Sequence, residues 1–314
     1  MAPTPNLSIS LAGVQLINPL ILASGFLGTE PYLLARVARA PIGAVTTKSC
    51  CLLPRPGHEN PTVLAWNHGL INAVGLTNPG VAEEVNHIAT LKRLLKAKKS
   101  PCRIIASFFG GTVTEFVKVA RILSAAQPDF LEANLSCPNT EADLGRPFAT
   151  DSKATYQVIK KIKQVTRIPL IAKLSPNVTE ITSVALAAQD AGADALCAIN
   201  AVSGMVIDPE SGQPILTNTI GGLSGPAIKP IALRCVYQIA QVCKLPIIGL
   251  GGISSGRDAA EMIMVGATAI GVGTATYYRG LKAFTRITQE LNQFMVQHHH
   301  QSLPDFKGLA HDQN

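Results

Sequence analysis

The sequence lacks the features of membrane-anchored, secreted and disulfide-rich proteins. Its uncharged apolar stretches all fall well short of the roughly 18 residues that cross a bilayer. The first eleven residues contain no basic segment and no apolar segment, so we expect no signal peptide. The seven cysteines are odd in number and form no Cys-x-x-Cys pair, which argues against a disulfide framework and against the usual zinc or iron–sulfur spacing. We therefore expect free thiols and a cytoplasmic protein.

Aromatic residues and charges are also scarce, at 5% and 15% of the chain, whereas 47% of the residues are hydrophobic. This composition is typical of a folded chain and excludes a disordered one. The net charge of +7 suits an anionic small ligand. The basic clusters at 92–99 and 160–167 carry no interleaved aromatics, so we interpret them as solvated helix ends and expect no nucleic-acid partner. The histidines at 298–300 indicate an exposed helix end, and we expect no metal site.

Eight short runs rich in Ile, Val and Leu alternate with longer segments of helical spacing. The runs occupy 20–23, 42–46, 103–108, 130–135, 170–174, 195–199, 247–250 and 269–272. They alternate little between apolar and polar residues, which is typical of parallel strands buried on both faces. Eight βα units close most simply into a (β/α)8 TIM barrel, an α/β fold, and a doubly wound sheet is the alternative.

Two additions to the barrel are visible in the sequence. Residues 7–16 form a β-like lead-in, and residues 54–79 form a loop-rich insert after the second strand. No linker or low-complexity segment divides the chain. We therefore expect residues 1–314 to form a single domain.

Polar and glycine-rich segments follow seven of the eight predicted strands. In a TIM barrel these strand ends form the active-site face. Gly251-Gly252 and Gly273-Thr274 follow the seventh and eighth strands, where barrels often hold a phosphate on backbone N–H groups. The segment 254–258 has the pattern of a helix start beside them. The sequence therefore predicts a phosphate site here.

One cysteine and two lysines carry the remaining chemistry. Cys137 follows the fourth strand in a polar segment, and a thiolate there can act as a general base. No His/Asp partner set lies nearby, which argues against a cysteine protease. Cys102 and Cys197, by contrast, are typical of small buried hydrophobic residues. Lys48 and Lys173 end two other strands, where a desolvated ammonium needs an anion.

The string Asn134-Leu-Ser-Cys-Pro-Asn139 resembles the class 1 dihydroorotate dehydrogenases, FMN-containing barrels of pyrimidine synthesis, and the resemblance covers roughly residues 7–290. It implies an oxidoreductase in which Cys137 takes the C5 proton of dihydroorotate while a hydride passes from C6 to flavin N5. It implies that Lys173 stabilises the anionic reduced flavin. The implied FMN-binding residues are Ser24, Lys48, Ser49, Asn134, Lys173, Ile199, Gly225, Gly251, Gly252, Gly273 and Thr274. The implied substrate-binding residues are Lys48, Asn72, Ala73, Val74, Gly75, Leu76, Asn134, Asn139, Asn200 and Ala201.

The resemblance is strongest to the NAD-linked branch of that family, through the segments 173–179 and 221–230. In that branch the barrel works with a second subunit that carries FAD and a [2Fe–2S] cluster. The segment 302–306 is similar instead to the fumarate-using homodimeric branch. The resemblance therefore implies a homodimer, or a heterotetramer with an electron-transfer subunit, and leaves the terminal electron acceptor open. The membrane-bound quinone class uses a serine base, where this chain has Cys137.

Two positions depart from the family pattern, and both lie on the substrate side. Asn200 is followed by Ala201 where the family has Thr or Ser, and the insert at 60–68 lacks the family's Pro-Arg. These departures leave two alternatives to dihydroorotate oxidation. One is a flavin enzyme that acts on another dihydropyrimidine, and the other is a catalytically silent flavin-binding paralogue.

Overall fold

The computed structural model describes residues 5–66, 68–135 and 148–311, in which strands and helices alternate. The strands are β1 (Ile9–Leu11), β2 (Val14–Leu16), β3 (Leu20–Leu22), β4 (Ala44–Thr46), β5 (Val63–Trp66), β6 (Gly69–Asn72), β7 (Arg103–Phe108), β8 (Phe130–Asn134), β9 (Leu170–Lys173), β10 (Ala195–Ala198), β11 (Val202–Met205), β12 (Ile207–Asp208), β13 (Gln213–Pro214), β14 (Ile220–Ser224), β15 (Ile247–Leu250) and β16 (Ala269–Val272). The α-helices are α1 (Pro31–Val37), α2 (Val81–Ala97), α3 (Val113–Ala125), α4 (Ser152–Lys163), α5 (Ile181–Asp190), α6 (Lys229–Val242), α7 (Gly256–Met264), α8 (Ala275–Arg279) and α9 (Ala283–Gln297).

Eight parallel strands close into a barrel in the order β3-β4-β7-β8-β9-β10-β15-β16. The pairing of β16 with β3 completes the ring, which excludes the doubly wound sheet and confirms the predicted TIM barrel. All eight predicted apolar runs contain a barrel strand, with ends displaced by at most two residues. The runs are continuous because β9, β10 and β16 are buried along their whole length, between the barrel interior and the outer helices.

The helices around the barrel show the amphipathic spacing that the sequence indicates. In α3, Phe116, Val119, Ala120 and Leu123 are buried at intervals of three and four residues. The same helix begins at Thr112, whose side chain accepts a hydrogen bond from the backbone N–H of Glu115. Such helices cover the outer faces of the strands, and one large apolar core joins the two layers.

The lead-in at 7–16 is a hairpin of β1 and β2, as the sequence predicts. The insert at 54–79 contains more regular structure than the predicted loop, since β5 and β6 form a hairpin within it. That hairpin continues into a four-stranded antiparallel sheet through β14 and β11, which follow the sixth barrel strand. The sequence does not predict β14, because its Gly221-Gly222 pair is typical of a turn. Its strand conformation depends on pairing with β6.

The basic clusters lie exposed at the ends of α2 and α4, and residues 298–300 follow α9. Within the described ranges, no group of three or more His, Cys, Asp or Glu side chains is placed to hold a metal ion. None of the helices described is long and apolar enough to cross a membrane. Whether the whole chain forms one domain stays a prediction.

Glu84, in the first turn of α2, is a buried carboxyl group with 1% of its surface exposed. Its pKa is raised from 4.5 to about 7, chiefly by burial and to a smaller extent by the nearby carboxylates of Glu30 and Glu83. A hydrogen bond from Thr47 lowers the pKa and offsets part of this effect. The folded protein therefore holds the proton of Glu84 more tightly than the unfolded chain does.

A stability prediction follows for Glu84→Gln. The proton on Glu84 stabilises the fold fully below about pH 4.5, and this contribution is lost as the pH rises through about 7. The wild type loses this contribution and the variant does not. As the pH rises from 4.5 to 7, the free energy of unfolding of the variant should therefore rise by about 3 kcal/mol relative to that of the wild type. Urea denaturation at a series of pH values measures it, with Glu210→Gln, an exposed glutamate outside the surroundings of Glu84, as the control. A difference between variant and wild type that does not change with pH would contradict the assignment.

Candidate active site

A cavity of about 360 Å³ opens at the carboxyl ends of the barrel strands and is bordered by β5, β6 and β14. It brings together all of the predicted cofactor-binding residues, from the ends of seven barrel strands and of β14. The residues concerned are Ser24, Lys48, Ser49, Asn134, Lys173, Ile199, Gly225, Gly251, Gly252, Gly273 and Thr274. The volume lies in the range of small-molecule and cofactor sites.

Most of the predicted substrate-binding residues line the same cavity. They are Lys48, Asn72, Val74, Leu76, Asn134, Asn200 and Ala201. Ala73 and Gly75 do not line it: Ala73 packs with Ile71 in a small apolar cluster, and Gly75 lies against His58. Ala73 directly follows β6 and its side chain faces opposite to that of Asn72, whereas Gly75 and Leu76 lie in a turn with φ +71° and +57°. Cys137 and Asn139 lie outside the described residues.

The glycines that follow β15 are required by close backbone packing. Gly252 has φ +76°, and a Cβ at that position would lie 2.5 Å from the Cβ of Lys229 and 2.7 Å from its Cα. Gly251 has φ +129°, and its Cβ would meet the Cβ of Ala232 at 2.8 Å. The loop therefore lies directly on the start of α6. Within the described ranges, neither Gly252 nor Thr274 donates its backbone N–H to a protein acceptor.

The helix α7 begins at Gly256, close to where the segment 254–258 predicts it. Its first N–H groups are nevertheless already bonded to protein carboxylates. Ser254 and Ser255 donate their backbone N–H groups to Asp258, and Gly256 donates to Glu290. The three N–H groups of Ser254, Ser255 and Gly256, where the sequence predicts a helix start beside a phosphate, are therefore bonded within the protein.

A chain of hydroxyl groups lies beneath the cavity. The hydroxyls of Ser24 and Ser49 are 3.0 Å apart, and those of Ser49 and Ser107 are 2.7 Å apart. Ser107 donates its hydroxyl to a carboxylate oxygen of Glu132 at 2.8 Å. The side-chain amide of Asn134 donates to Ser49 at 3.2 Å. Four strand ends are therefore connected by one buried polar network.

Sequence analysis missed Glu132, which is 3% exposed inside the barrel. Its carboxylate lies 3.9 Å from Nζ of Lys173, a side chain that is 5% exposed. A signal for it exists in the sequence: Glu132 interrupts an apolar strand and lies two residues before Asn134, on the same face. Lys173 therefore has a buried anionic neighbour in the protein, in addition to any anion in the cavity.

Further residues line the cavity that the sequence did not assign to the site. They include Phe26, Thr29, Thr77, Ser224 and Ile228. Thr274 donates its hydroxyl to that of Ser224 at 2.9 Å. Since Ser224 ends β14 in the unpredicted sheet, only the folded chain brings it to the eighth barrel strand.

The two departures from the family pattern both fall on the cavity wall. The N–H of Ala201 donates to its neighbour Asn200 at 2.8 Å, and the amide of Asn177 donates to the carbonyl of Ala201 at 3.1 Å. In the insert, Val63 lines the cavity, whereas Trp66 and His68 do not. The pocket wall therefore carries apolar side chains at positions 63 and 201.

The closed barrel, the glycine loops after β15 and β16, and the buried Lys173 define a TIM-barrel protein whose cavity suits a phosphorylated, electron-accepting cofactor. The Dihydroorotate dehydrogenase family model matches residues 6–295. The chain belongs to this family of flavin enzymes.

Similar proteins agree with the family over nearly the whole chain. A protein of Pyrococcus horikoshii is 44% identical over 304 residues, which cover 97% of each chain. One of Methanocaldococcus jannaschii is 41% identical over 306 residues and 98% of each chain. One of Geobacter metallireducens is 43% identical over 293 residues, or 93% of this chain and 94% of the relative. All three are named dihydroorotate dehydrogenase B (NAD(+)), catalytic subunit.

The Glu132–Lys173 pair yields a stability prediction. Glu132→Gln keeps the shape of the side chain but leaves the Lys173 ammonium buried without its counter-charge. We expect the free energy of unfolding to fall by about 3–5 kcal/mol, and the double variant Glu132→Gln/Lys173→Met to recover most of that loss. Urea denaturation of the three proteins measures both effects. An equal loss in the single and double variants would show that the two charges do not interact.

Proposed function

We infer that this protein oxidises dihydroorotate to orotate in de novo pyrimidine synthesis and uses FMN as its cofactor. The observation that carries the inference is the convergence of Lys48, Asn134, Lys173 and Asn200 on one cavity of a chain in the dihydroorotate dehydrogenase family. The relatives' names support the same reaction. They do not favour the other two readings, a different dihydropyrimidine substrate and a silent paralogue.

FMN, when bound, supplies the hydride acceptor. The N–H groups around Gly252 and Thr274 would hold its phosphate, and Lys173 would supply positive charge beside the flavin ring. Ser24, Ser49 and Asn134 would orient the ring through the polar network beneath the cavity. The single phosphate cradle favours a mononucleotide over FAD, which binds through a separate dinucleotide-binding unit.

The substrate occupies the other part of the same cavity. Lys48 lines the cavity, where its ammonium group offers a positive charge with which the carboxylate of dihydroorotate can pair. Asn72, Asn134, Asn139 and Asn200 hydrogen-bond the pyrimidine edges. Cys137 accepts the C5 proton as a thiolate base. We assign Cys137 and Asn139 from the sequence motif that contains them.

We further propose that the electrons leave through a partner subunit that carries FAD and a [2Fe–2S] cluster. The relatives are named catalytic subunits of an NAD(+) enzyme, which supports this reading. The assembly is then a heterotetramer, and a homodimer is the alternative. The six cysteines of the described residues are free and buried, which suits a cytoplasmic enzyme. Co-purification of the partner subunit tests the assembly.

The function is tested by the reductive half-reaction of Cys137→Ala. We expect the purified protein to release FMN, identified by mass spectrometry, in both wild type and variant. Dihydroorotate should reduce the flavin of the variant about 10²- to 10⁴-fold more slowly, the usual contribution of a general base. Stopped-flow absorbance measures the rate.

Cys102→Ala and Cys235→Ala serve as matched controls, because neither thiol lines the cavity and burial raises the pKa of each. They should alter stability only. Finding FAD or no flavin would refute the cofactor, and an unchanged reduction rate in Cys137→Ala would refute the base.

Ala201→Thr tests the substrate side of the pocket. The family hydroxyl at this position would hydrogen-bond the pyrimidine, and an unpaired buried polar group costs about 1–3 kcal/mol, or about 5- to 150-fold in affinity. We therefore expect the threonine variant to bind orotate more tightly, with unchanged FMN content. Titration of the flavin absorbance with orotate measures this. Equal or weaker binding would indicate a pocket shaped for a different ligand.

A further inference from the structure

We propose that Arg279 and Asp258 are positioning residues for the cofactor phosphate, which together hold the two halves of the phosphate cradle at a fixed separation. The inference rests on the proposed FMN function and deepens it. The first half of the cradle is the loop 251–256 after β15, and the second is Gly273-Thr274, which leads into α8. Neither Arg279 nor Asp258 lines the cavity, so both act through the backbone.

Asp258 fixes the first half of the cradle. One of its carboxylate oxygens accepts the backbone N–H groups of Ser254 at 2.9 Å and Ser255 at 2.8 Å. The other accepts Nζ of Lys229 at 2.6 Å. Lys229 is also the residue against which Gly252 packs without room for a Cβ. The loop is therefore held from two sides by the start of α6 and by the first turn of α7.

The charge on Asp258 is maintained by these contacts. Burial alone would raise its pKa, but the hydrogen bonds from Lys229 and from the backbone of Ser254 keep the pKa below its usual value. Lys229 also donates to Glu261 at 2.7 Å, so its charge is neutralised within the protein. The network therefore anchors the loop without placing an unpaired cation near the phosphate.

Arg279 connects the second half of the cradle to the first. It is the last residue of α8, a helix of five residues that begins directly after Thr274. Its guanidinium donates to the carbonyl oxygen of Ser254 at 2.6 Å and forms an ion pair with Glu290. Glu290 in turn accepts the N–H of Gly256 at 2.8 Å. One arginine thus joins α8 to both ends of the segment 254–256.

These contacts explain why the α7 N-terminus is closed to the cofactor. Its first N–H groups are bonded to Asp258 and Glu290, and the pKa of Glu290 is lowered chiefly by the hydrogen bond from Arg279. The remaining donors are backbone N–H groups whose spacing depends on how α8 lies against the loop. Loss of Arg279 or Asp258 should therefore weaken binding of the phosphate and leave binding of the flavin ring intact.

The test compares FMN with riboflavin, which has the same ring system and no phosphate. Full-length protein stripped of flavin is titrated with each compound, and quenching of flavin fluorescence gives the two dissociation constants. For Arg279→Gln and Asp258→Asn we expect FMN affinity to fall by about 5- to 150-fold, the worth of one displaced buried hydrogen bond. Riboflavin affinity should stay within about twofold, which is less than the effect of one such bond. Arg279→Lys, which keeps the charge but not the two-pronged geometry, should lie between Arg279→Gln and wild type.

Two matched controls lie at the opposite end of the barrel. Arg103 donates hydrogen bonds to Asp129 and to the carbonyl oxygen of Gln15, which resembles the way Arg279 connects Glu290 and Ser254. Asp194 accepts hydrogen bonds from Lys163 and from a backbone N–H, as Asp258 does from Lys229 and Ser254. Arg103→Gln and Asp194→Asn should leave both dissociation constants unchanged. If Arg279→Gln does not fold, Glu290→Gln tests the same connection with a smaller change.

The outcomes separate this inference from the proposed function. Parallel loss of FMN and riboflavin affinity, or no loss of either, would overturn the positioning role while the FMN assignment stands. Wild-type protein that binds riboflavin as tightly as FMN would overturn the cofactor assignment and the inference together. The positioning role and the FMN assignment are both supported if Arg279→Gln and Asp258→Asn lose affinity for FMN but not for riboflavin, and the two control variants lose neither.

Discussion

The pairing of β16 with β3 closes the barrel, and the position of every candidate site residue depends on this closure. In an open sheet the first and last strands lie far apart, so Ser24, after β3, would not share a cavity with Thr274, after β16. Closure brings the carboxyl ends of all eight strands to one rim. Residues that are 250 positions apart in the chain then line one cavity of about 360 Å³.

The interior of the barrel also contains charge, which a core built only for stability would exclude. Glu132 and Lys173 are buried side by side, and the hydroxyls of Ser107, Ser49 and Ser24 extend the network to the cavity wall. Desolvation of two charges is costly, and replacement of such a pair by apolar residues is often neutral or stabilising. The proposed function gives a reason for the pair, because a fixed positive charge at Lys173 would face a flavin that becomes negative on reduction.

Around the glycine loops after β15 and β16, by contrast, the charged side chains are paired with one another. Lys229, Arg279, Asp258 and Glu290 all lie near the cradle, yet their charges are paired with one another. Under the proposed function, neutral backbone N–H groups of the glycine loops would then bind the phosphate. A buried ammonium would face the reacting ring, and a rigid backbone would hold the part of the cofactor that does not react.

The sequence by itself determined the barrel, the cradle glycines and the strand-end residues, because each follows from local pattern. Continuous apolar runs specify strands buried on both faces, and residues directly after them must lie at the rim.

Only the tertiary structure decided which contacts these residues make. Ala73 packs against Ile71 away from the cavity, Gly75 lies in a turn with φ +71°, and the glycine-rich β14 is a strand only because β6 pairs with it. The α7 N-terminus was predicted beside the phosphate site, but it is closed by Glu290, 34 residues further along the chain. Glu132 on β8 likewise lies beside Lys173 only because β8 pairs with β9. Such contacts depend on the register and packing of distant segments, which local pattern does not encode.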